Sequence, residues 1–377
     1  MIPLFKVAMA EGAAAEVEHV LNSGYIGQGE GVERFETELH KFIGGHERPL
    51  AVSSGTHALD LAYHMIGLGQ GDVVITTPLT CTATVTPLIN RGCRLVFADI
   101  DEYTGCIDPR SVADCLKSYP AVCAIVAVDW GGTLCDYPAL RRAVEAGGTP
   151  IPIVQDAAHS MGAHVYGTRL LDSEMHGDYV MFSFQAIKQL TTGDGGALVC
   201  PHYESYARAK LLRWFGLDRE GDTSFRCKQR LEEAGYKYHM NDISAAIGLC
   251  NLAELRGVCR AHQENAFSYS CAFADLQLGD HGIASLQYQP GSAYWLYTML
   301  ATERDKFTVF MTERGIATSP VHNILTDMPC VSRATVEDVA YRAAEFAARH
   351  VCIPVGSWLT VEDLNKICDT VREYANA

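Results

Sequence analysis

The chain has 377 residues, 48% of them hydrophobic and 20% charged, enough apolar material for a large core in two domains or in one domain with an appendage. Its formal charge of −15 argues against nucleic acid or an anionic membrane as the main partner, since both are met by clustered Lys and Arg. No charged-then-apolar leader opens the sequence and no apolar run approaches the roughly 20 residues that span a bilayer, so a cytoplasmic protein is expected. Fourteen cysteines are spread from Cys81 to Cys368 with no Cys-x-x-Cys pair and no zinc-like spacing. They read as buried thiols, and no metal site is expected.

A helical pattern at Glu11 to Leu21 is followed by the turn-rich SGYIGQGEG and a second amphipathic run, Val32 to Phe42. From Pro49 short β-rich runs alternate with helical ones. LAVSS leads into THALDLAYHMIGL, DVVITTP into a helix at Ala83 to Asn90, then CRLVFADI, AVCAIVAVDW, a helix near Tyr137 to Glu145, and IPIVQ. Such alternation predicts βαβ units and an α/β fold with a mostly parallel central sheet flanked by helices. Ligands of such sheets bind at the carboxyl ends of the strands. Residues 1–250 read as the large domain. Residues 251–377 read as a smaller C-terminal α+β domain, with helical runs at Ile243 to His262 and Val336 to Arg349, the strand-like YWLYTMLA, and a final helix in VEDLNKICDTVREYA.

Three strand ends carry chemistry. In Ser53-Ser54-Gly55-Thr56 a strand gives way to a helix, so free N–H groups and the helix dipole converge on an anion site for which phosphate is the usual guest; simple helix capping is the alternative. Asp156 follows the apolar run IPIVQ. A buried carboxylate there needs a cation, for which a protonated pyridine nitrogen would serve, and His159 could touch the same ring; a structural cap is the alternative. Lys188 lies in an otherwise uncharged loop, five residues after Ser183 and just before GDGG; an ordinary surface lysine is the alternative. A lysine amine in surroundings that disfavour ammonium reacts with carbonyls, most often as a Schiff base with pyridoxal 5'-phosphate (PLP). A phosphate cradle, a pyridinium partner and such a lysine together point to PLP.

The order of the motifs AVSSGTHALDLA, GLGQGDVVITTP, GCRLVFADID, VQDAAHSMGA and SFQAIKQLTTGDGGALV, with IPLFKVAM and SGYIGQGEGVERFE before them, resembles the DegT/DnrJ/EryC1/StrS sugar aminotransferases over nearly the whole chain. The resemblance implies the fold-type I PLP-dependent transferase architecture. It implies that Lys188 is the cofactor's Schiff-base lysine, that Asp156 pairs with the pyridine nitrogen, that His159 lies against the cofactor, and that Gly55, Thr56 and Ser183 hold its phosphate. It further implies L-glutamate as donor, a nucleotide-linked keto sugar as acceptor (4-keto-6-deoxy in preference to 3-keto), pyridoxamine 5'-phosphate (PMP) as the intermediate form, and a homodimer. The product would be an amino sugar for a surface polysaccharide or a glycosylated natural product.

Three positions depart from the family pattern. Lys237 in GYKYHM stands where an asparagine usually reaches the neighbouring subunit's phosphate, a role an ammonium can fill; a side chain pointing to solvent is the alternative. Cys81 in PLTCTAT stands where an aromatic residue often stacks on the cofactor, and Phe215 replaces a frequent histidine. His322 in SPVHN and Tyr25 in the early loop are candidate substrate-side residues, His322 with an ordinary loop histidine as its alternative. Rival functions are a PLP- or PMP-dependent sugar dehydratase, disfavoured by the presence of Lys188, and a catalytically silent PLP-fold regulator, disfavoured by Lys188 together with Asp156.

Overall fold

The structure, a computed structural model, describes residues 1–219 and 229–377. Its centre is an eight-stranded sheet in the order Leu50–Val52, Gly196–Val199, Tyr179–Ser183, Ile153–Asp156, Val122–Val128, Val73–Thr76, Arg94–Phe97 and Thr335–Asp338. Gly196–Val199 runs antiparallel to both neighbours, and the other adjacent pairs are parallel. The middle strand, VCAIVAV, is apolar throughout and buried at every residue but Cys123, as a strand covered on both faces must be. Helices Gly55–Ile66, Thr82–Asn90, Pro109–Ser118 and Tyr137–Ala146 fill the crossovers and contribute Leu59, Leu88, Val112 and Leu140 to one apolar cluster. A second cluster, with Phe35, Leu39, Phe182 and Leu255, joins the helix Glu30–Ile43 to the sheet and to the long helix Asp242–Ala272. The α/β class expected from the alternation is the class observed.

A third cluster, including Tyr269, Phe273, Tyr297, Met299 and Ile367, surrounds a three-stranded antiparallel sheet of Ile283–Ser285, Tyr297–Ala301 and His350–Ile353. The division expected at residue 250 falls inside the helix Asp242–Ala272. That helix buries Ala245 and Leu255 in the second cluster and Ala266 and Tyr269 in the third, so it outlasts the run expected to end at His262.

The helical run expected at Val336 to Arg349 is corrected. Thr335–Asp338 is a strand on the edge of the large sheet, paired in parallel with Arg94–Phe97, and the helix begins only at Tyr341. The open sheet edge supplies hydrogen-bond partners that local propensity cannot report. The helix start is then held by Asp99, whose carboxylate accepts the N–H groups of Arg342 and Ala343 at 3.0 and 2.9 Å. Among the described residues no helix is long and apolar enough to cross a membrane.

Candidate active site

The strand Tyr179–Ser183 delivers the loop that carries Lys188. Phe184 N–H donates to Gly195 C=O at 2.8 Å and Thr192 N–H to Phe184 C=O at 3.0 Å, closing the loop's two ends. Inside it Lys188 N–H donates to Gln185 C=O at 2.9 Å, and the Trp295 indole N–H donates to Ile187 C=O at 2.9 Å. The Lys188 amine lies 3.3 Å from the centroid of the Trp295 ring. Burial pushes its pKa down to about 7, against a smaller upward pull from Asp156. A substantial fraction of free amine, the nucleophilic form, therefore exists at neutral pH.

Asp156 ends its strand at 4% exposure. One carboxylate oxygen accepts from Thr84 Oγ1 at 2.7 Å and the other from Ala158 N–H at 3.2 Å. Burial raises its pKa, while these two bonds and Lys188 oppose the rise. Two neutral donors leave the charge largely uncompensated, so a cation brought against this carboxylate would be bound strongly. His159 is stacked on Trp295, centroids 4.0 Å apart, and lies parallel to His322 at 5.5 Å. His159 Nδ1 and His322 Nε2 are buried without a hydrogen-bond partner. Burial, with Lys188 nearby, holds both imidazoles neutral, His159 well below its usual range and His322 down at about 4.

At the end of Leu50–Val52, Ser54 caps the helix Gly55–Ile66 by accepting His57 N–H at 3.1 Å. The next two residues, Gly55 and Thr56, face the same cavity as Ser183. A Cβ on Gly55 would stand 3.0 Å from Ser183 Cβ and 3.2 Å from Met181 Sδ, so this close approach favours glycine. The capping reading of Ser53 to Thr56 is borne out by Ser54, and the helix start that was read as an anion site lines the pocket.

The cavity measures about 620 Å³ and is lined by Leu4, Phe5, Gly55, Thr56, Cys81, Asp156, Ala158, His159, Ser183, Lys188, Asp194, Trp295 and His322, among others. It thus collects eight of the expected residues. A helix start for a phosphate, a buried carboxylate for a pyridinium, an orphaned ring nitrogen and a lysine amine fit PLP. Two expected residues are elsewhere. Tyr25 is 84% exposed, although Asp242 ties down the far end of its loop by accepting from Gly29, Gly31 and Val32 N–H at 2.8, 3.2 and 3.1 Å. Lys237 is exposed and rests its ammonium 4.2 Å from the Trp214 ring centroid. Phe215, also noted in the sequence, is 41% exposed beside that same Trp214. Thr84, Trp295 and Phe5 belong to the site but were not marked by spacing. Thr84 sits in the PLTCTAT run already quoted for Cys81, and a hydroxyl one turn into a helix at a strand end is the signal that could have found it.

The DegT/DnrJ/EryC1/StrS aminotransferase family model matches residues 8–372. The chain is 30% identical over 372 residues to the spore coat polysaccharide biosynthesis protein SpsC of Bacillus subtilis, covering 95% of this chain and 93% of that one. Its fold superposes on sugar aminotransferase CalS13 from Micromonospora echinospora with a TM-score of 0.90 at 33% identity, covering 99% of this chain and 100% of that one. It superposes on AtS13 from Actinomadura melliaura with a TM-score of 0.90 at 35% identity, covering 99% and 98%.

Proposed function

The chain belongs to the DegT/DnrJ/EryC1/StrS aminotransferase family and is a PLP-dependent sugar aminotransferase; on that premise we propose that it moves an amino group from L-glutamate to a nucleotide-linked keto sugar, a 4-keto-6-deoxy sugar in preference to a 3-keto one. The observation that carries this reading is a single cavity holding the depressed Lys188 amine and the buried, cation-seeking Asp156 carboxylate. The SpsC relative, a polysaccharide biosynthesis protein by name, supports an amino sugar destined for a surface polysaccharide, with a glycosylated natural product as the other use.

Bound PLP supplies an electron sink for a proton removed next to nitrogen. Lys188 would hold it, and its Nζ would take the proton from the donor's α-carbon as general base and return one as general acid. The pKa of about 7 suits both directions. Asp156, ionised once paired, would keep a proton on the ring nitrogen. Gly55 and Thr56 at the helix start, with the Ser183 hydroxyl, would hold the phosphate. His159 and Trp295 would wall the ring from water, Cys81 lines the same cavity, and the unpartnered Nε2 of His322 is free for a sugar hydroxyl. In the homodimer we propose, Lys237 and Tyr25 serve the neighbouring subunit's site, which accounts for their absence from the cavity of their own chain.

The test is to load the protein with PLP, treat it with L-glutamate, and challenge it with a panel of nucleotide-linked keto sugars. Amino-sugar product by mass spectrometry from a 4-keto-6-deoxy member is expected. Conversion of the cofactor by glutamate with no sugar turned over would overturn the acceptor, and no conversion would overturn the donor.

A further inference from the structure

Asp129, at the end of the strand Val122–Val128, has no exposed surface and lines no part of the Lys188 cavity. Its carboxylate nevertheless receives four hydrogen bonds. Oδ2 accepts from Gln155 Nε2 and from Ser160 Oγ, each at 2.6 Å, and Oδ1 accepts from Tyr137 OH at 2.8 Å and Cys135 N–H at 3.1 Å.

Two of these donors cannot be reversed. Cys135 offers a backbone N–H. Gln155 has its carbonyl oxygen committed to Gly177 N–H at 3.0 Å, which fixes its amide so that the NH₂ faces Asp129. Each oxygen of residue 129 therefore confronts an obligatory donor, and an asparagine would set its own NH₂ against one of them in either orientation. Only a carboxylate satisfies the site. Burial, opposed by these four donors, leaves its pKa raised to about 6.

A buried charge is costly to retain, and its partners show what it holds. Gln155 is the residue before Asp156, Ser160 is the residue after His159, and Asp129 itself precedes Trp130, whose ring meets His159 and His322 edge-on at 6.4 and 6.0 Å. The backbone N–H of Asp129 also donates to the C=O of Asp156 at 3.2 Å. One carboxylate thus spans the strand end bearing Asp156 and the turn bearing His159, and fixes the start of the turn that packs on both histidines.

We propose that Asp129 is a positioning residue of the cofactor site, holding Asp156 and His159 in place through Gln155 and Ser160. This rests on the PLP-dependent reading above. Asp129 touches neither cofactor nor substrate and acts through the residues it orients.

The experiment compares PLP-loaded wild type with Asp129→Asn, Ser160→Ala and Tyr137→Phe. Three quantities are read: PLP dissociation by dialysis, the pH midpoint of the lysine-bound PLP absorption band, and the melting temperature. Asp129→Asn and Ser160→Ala should each weaken PLP retention about tenfold or more, the scale of one unsatisfied buried hydrogen bond. Both should also move the pH midpoint by about half a unit or more, since the field at the ring nitrogen changes. Tyr137→Phe removes a bond of similar length to the same carboxylate but adjoins no cavity residue; it should lower the melting temperature and leave retention and midpoint as in wild type.

An Asp129→Asn protein that folds and keeps wild-type retention and midpoint would overturn the proposal, leaving a purely structural role. If Asp129→Asn does not fold, the contrast between Ser160→Ala and Tyr137→Phe decides, and equal effects on the midpoint would overturn it. A wild-type protein with no lysine-bound band would instead overturn the PLP chemistry itself, an outcome separate from either of these.

Discussion

On the floor of the cavity, side chains are held by partners from distant segments: Asp156 by Thr84, the Lys188 loop by Trp295, and His159 by its stack on Trp295. On the outer face, Tyr25 stands 84% exposed and Lys237 lies along Trp214. The two regions differ in what one chain can build. Strand ends of a parallel sheet converge, so a single chain can fix a carboxylate, a lysine and a helix start around one point. Groups on the outer loops gain fixed neighbours only when another surface covers them, which is the role we assign to a second copy of the chain.

The deepest cut into the floor is Lys188→Ala. It should abolish covalent retention of PLP and lower turnover by roughly 10³-fold or more, the scale of a lost general acid–base, read by absorbance and by product formation. Asp156→Asn keeps the Thr84 contact in reach but removes the charge, and kcat should fall on the order of 10²-fold, comparable to losing one preorganised electrostatic contact. Retention of full activity there would break the assignment of Asp156 to the ring nitrogen.

The outer face should respond more weakly. Lys237→Ala should raise the dissociation constant of PLP about tenfold, as expected for one charge-assisted hydrogen bond lost at a wetted site. Mixing Lys188→Ala with Lys237→Ala subunits sharpens the comparison, because a mixed dimer carries one site with both residues intact. At PLP concentrations that leave the Lys237→Ala dimer mostly empty, activity should rise on mixing, whereas no gain would mean that Lys237 acts within its own chain or not at all.

The last prediction concerns the pH dependence of stability. The folded pKa of Lys188, about 7, lies below the ordinary lysine value of 10.5, so burial of its ammonium costs stability fully below pH 7. The cost is relieved as pH rises from about 7 toward 10.5, by at most about 1.4 kcal/mol per pH unit. The cofactor-free wild type should therefore gain melting temperature between pH 7 and 9 relative to Lys188→Met, and a difference that stays constant would contradict the depressed pKa.

Much of the floor was legible because it is local. Gly55, Thr56, Asp156, Ser183 and Lys188 each follow a short apolar run, and the chemistry of a residue at a strand end can be judged from its neighbours in sequence. The rest was not, for a physical reason. Thr84, Trp295 and Asp129 matter through contacts between segments far apart in the chain, and the amide orientation of Gln155 is decided by Gly177. The strand Thr335–Asp338 was concealed in the same way, since an open sheet edge and the carboxylate of Asp99 set where that helix starts. Tyr25 and Lys237 were singled out by resemblance, and the single chain gives them no place in its own cavity.

The most direct test of the account is to reduce the PLP-loaded protein with borohydride, digest it, and locate the attached cofactor by mass spectrometry. The account predicts one modified peptide, with the cofactor's mass on Lys188 and none after prior displacement by L-glutamate. Attachment at another lysine, or at none, would contradict it.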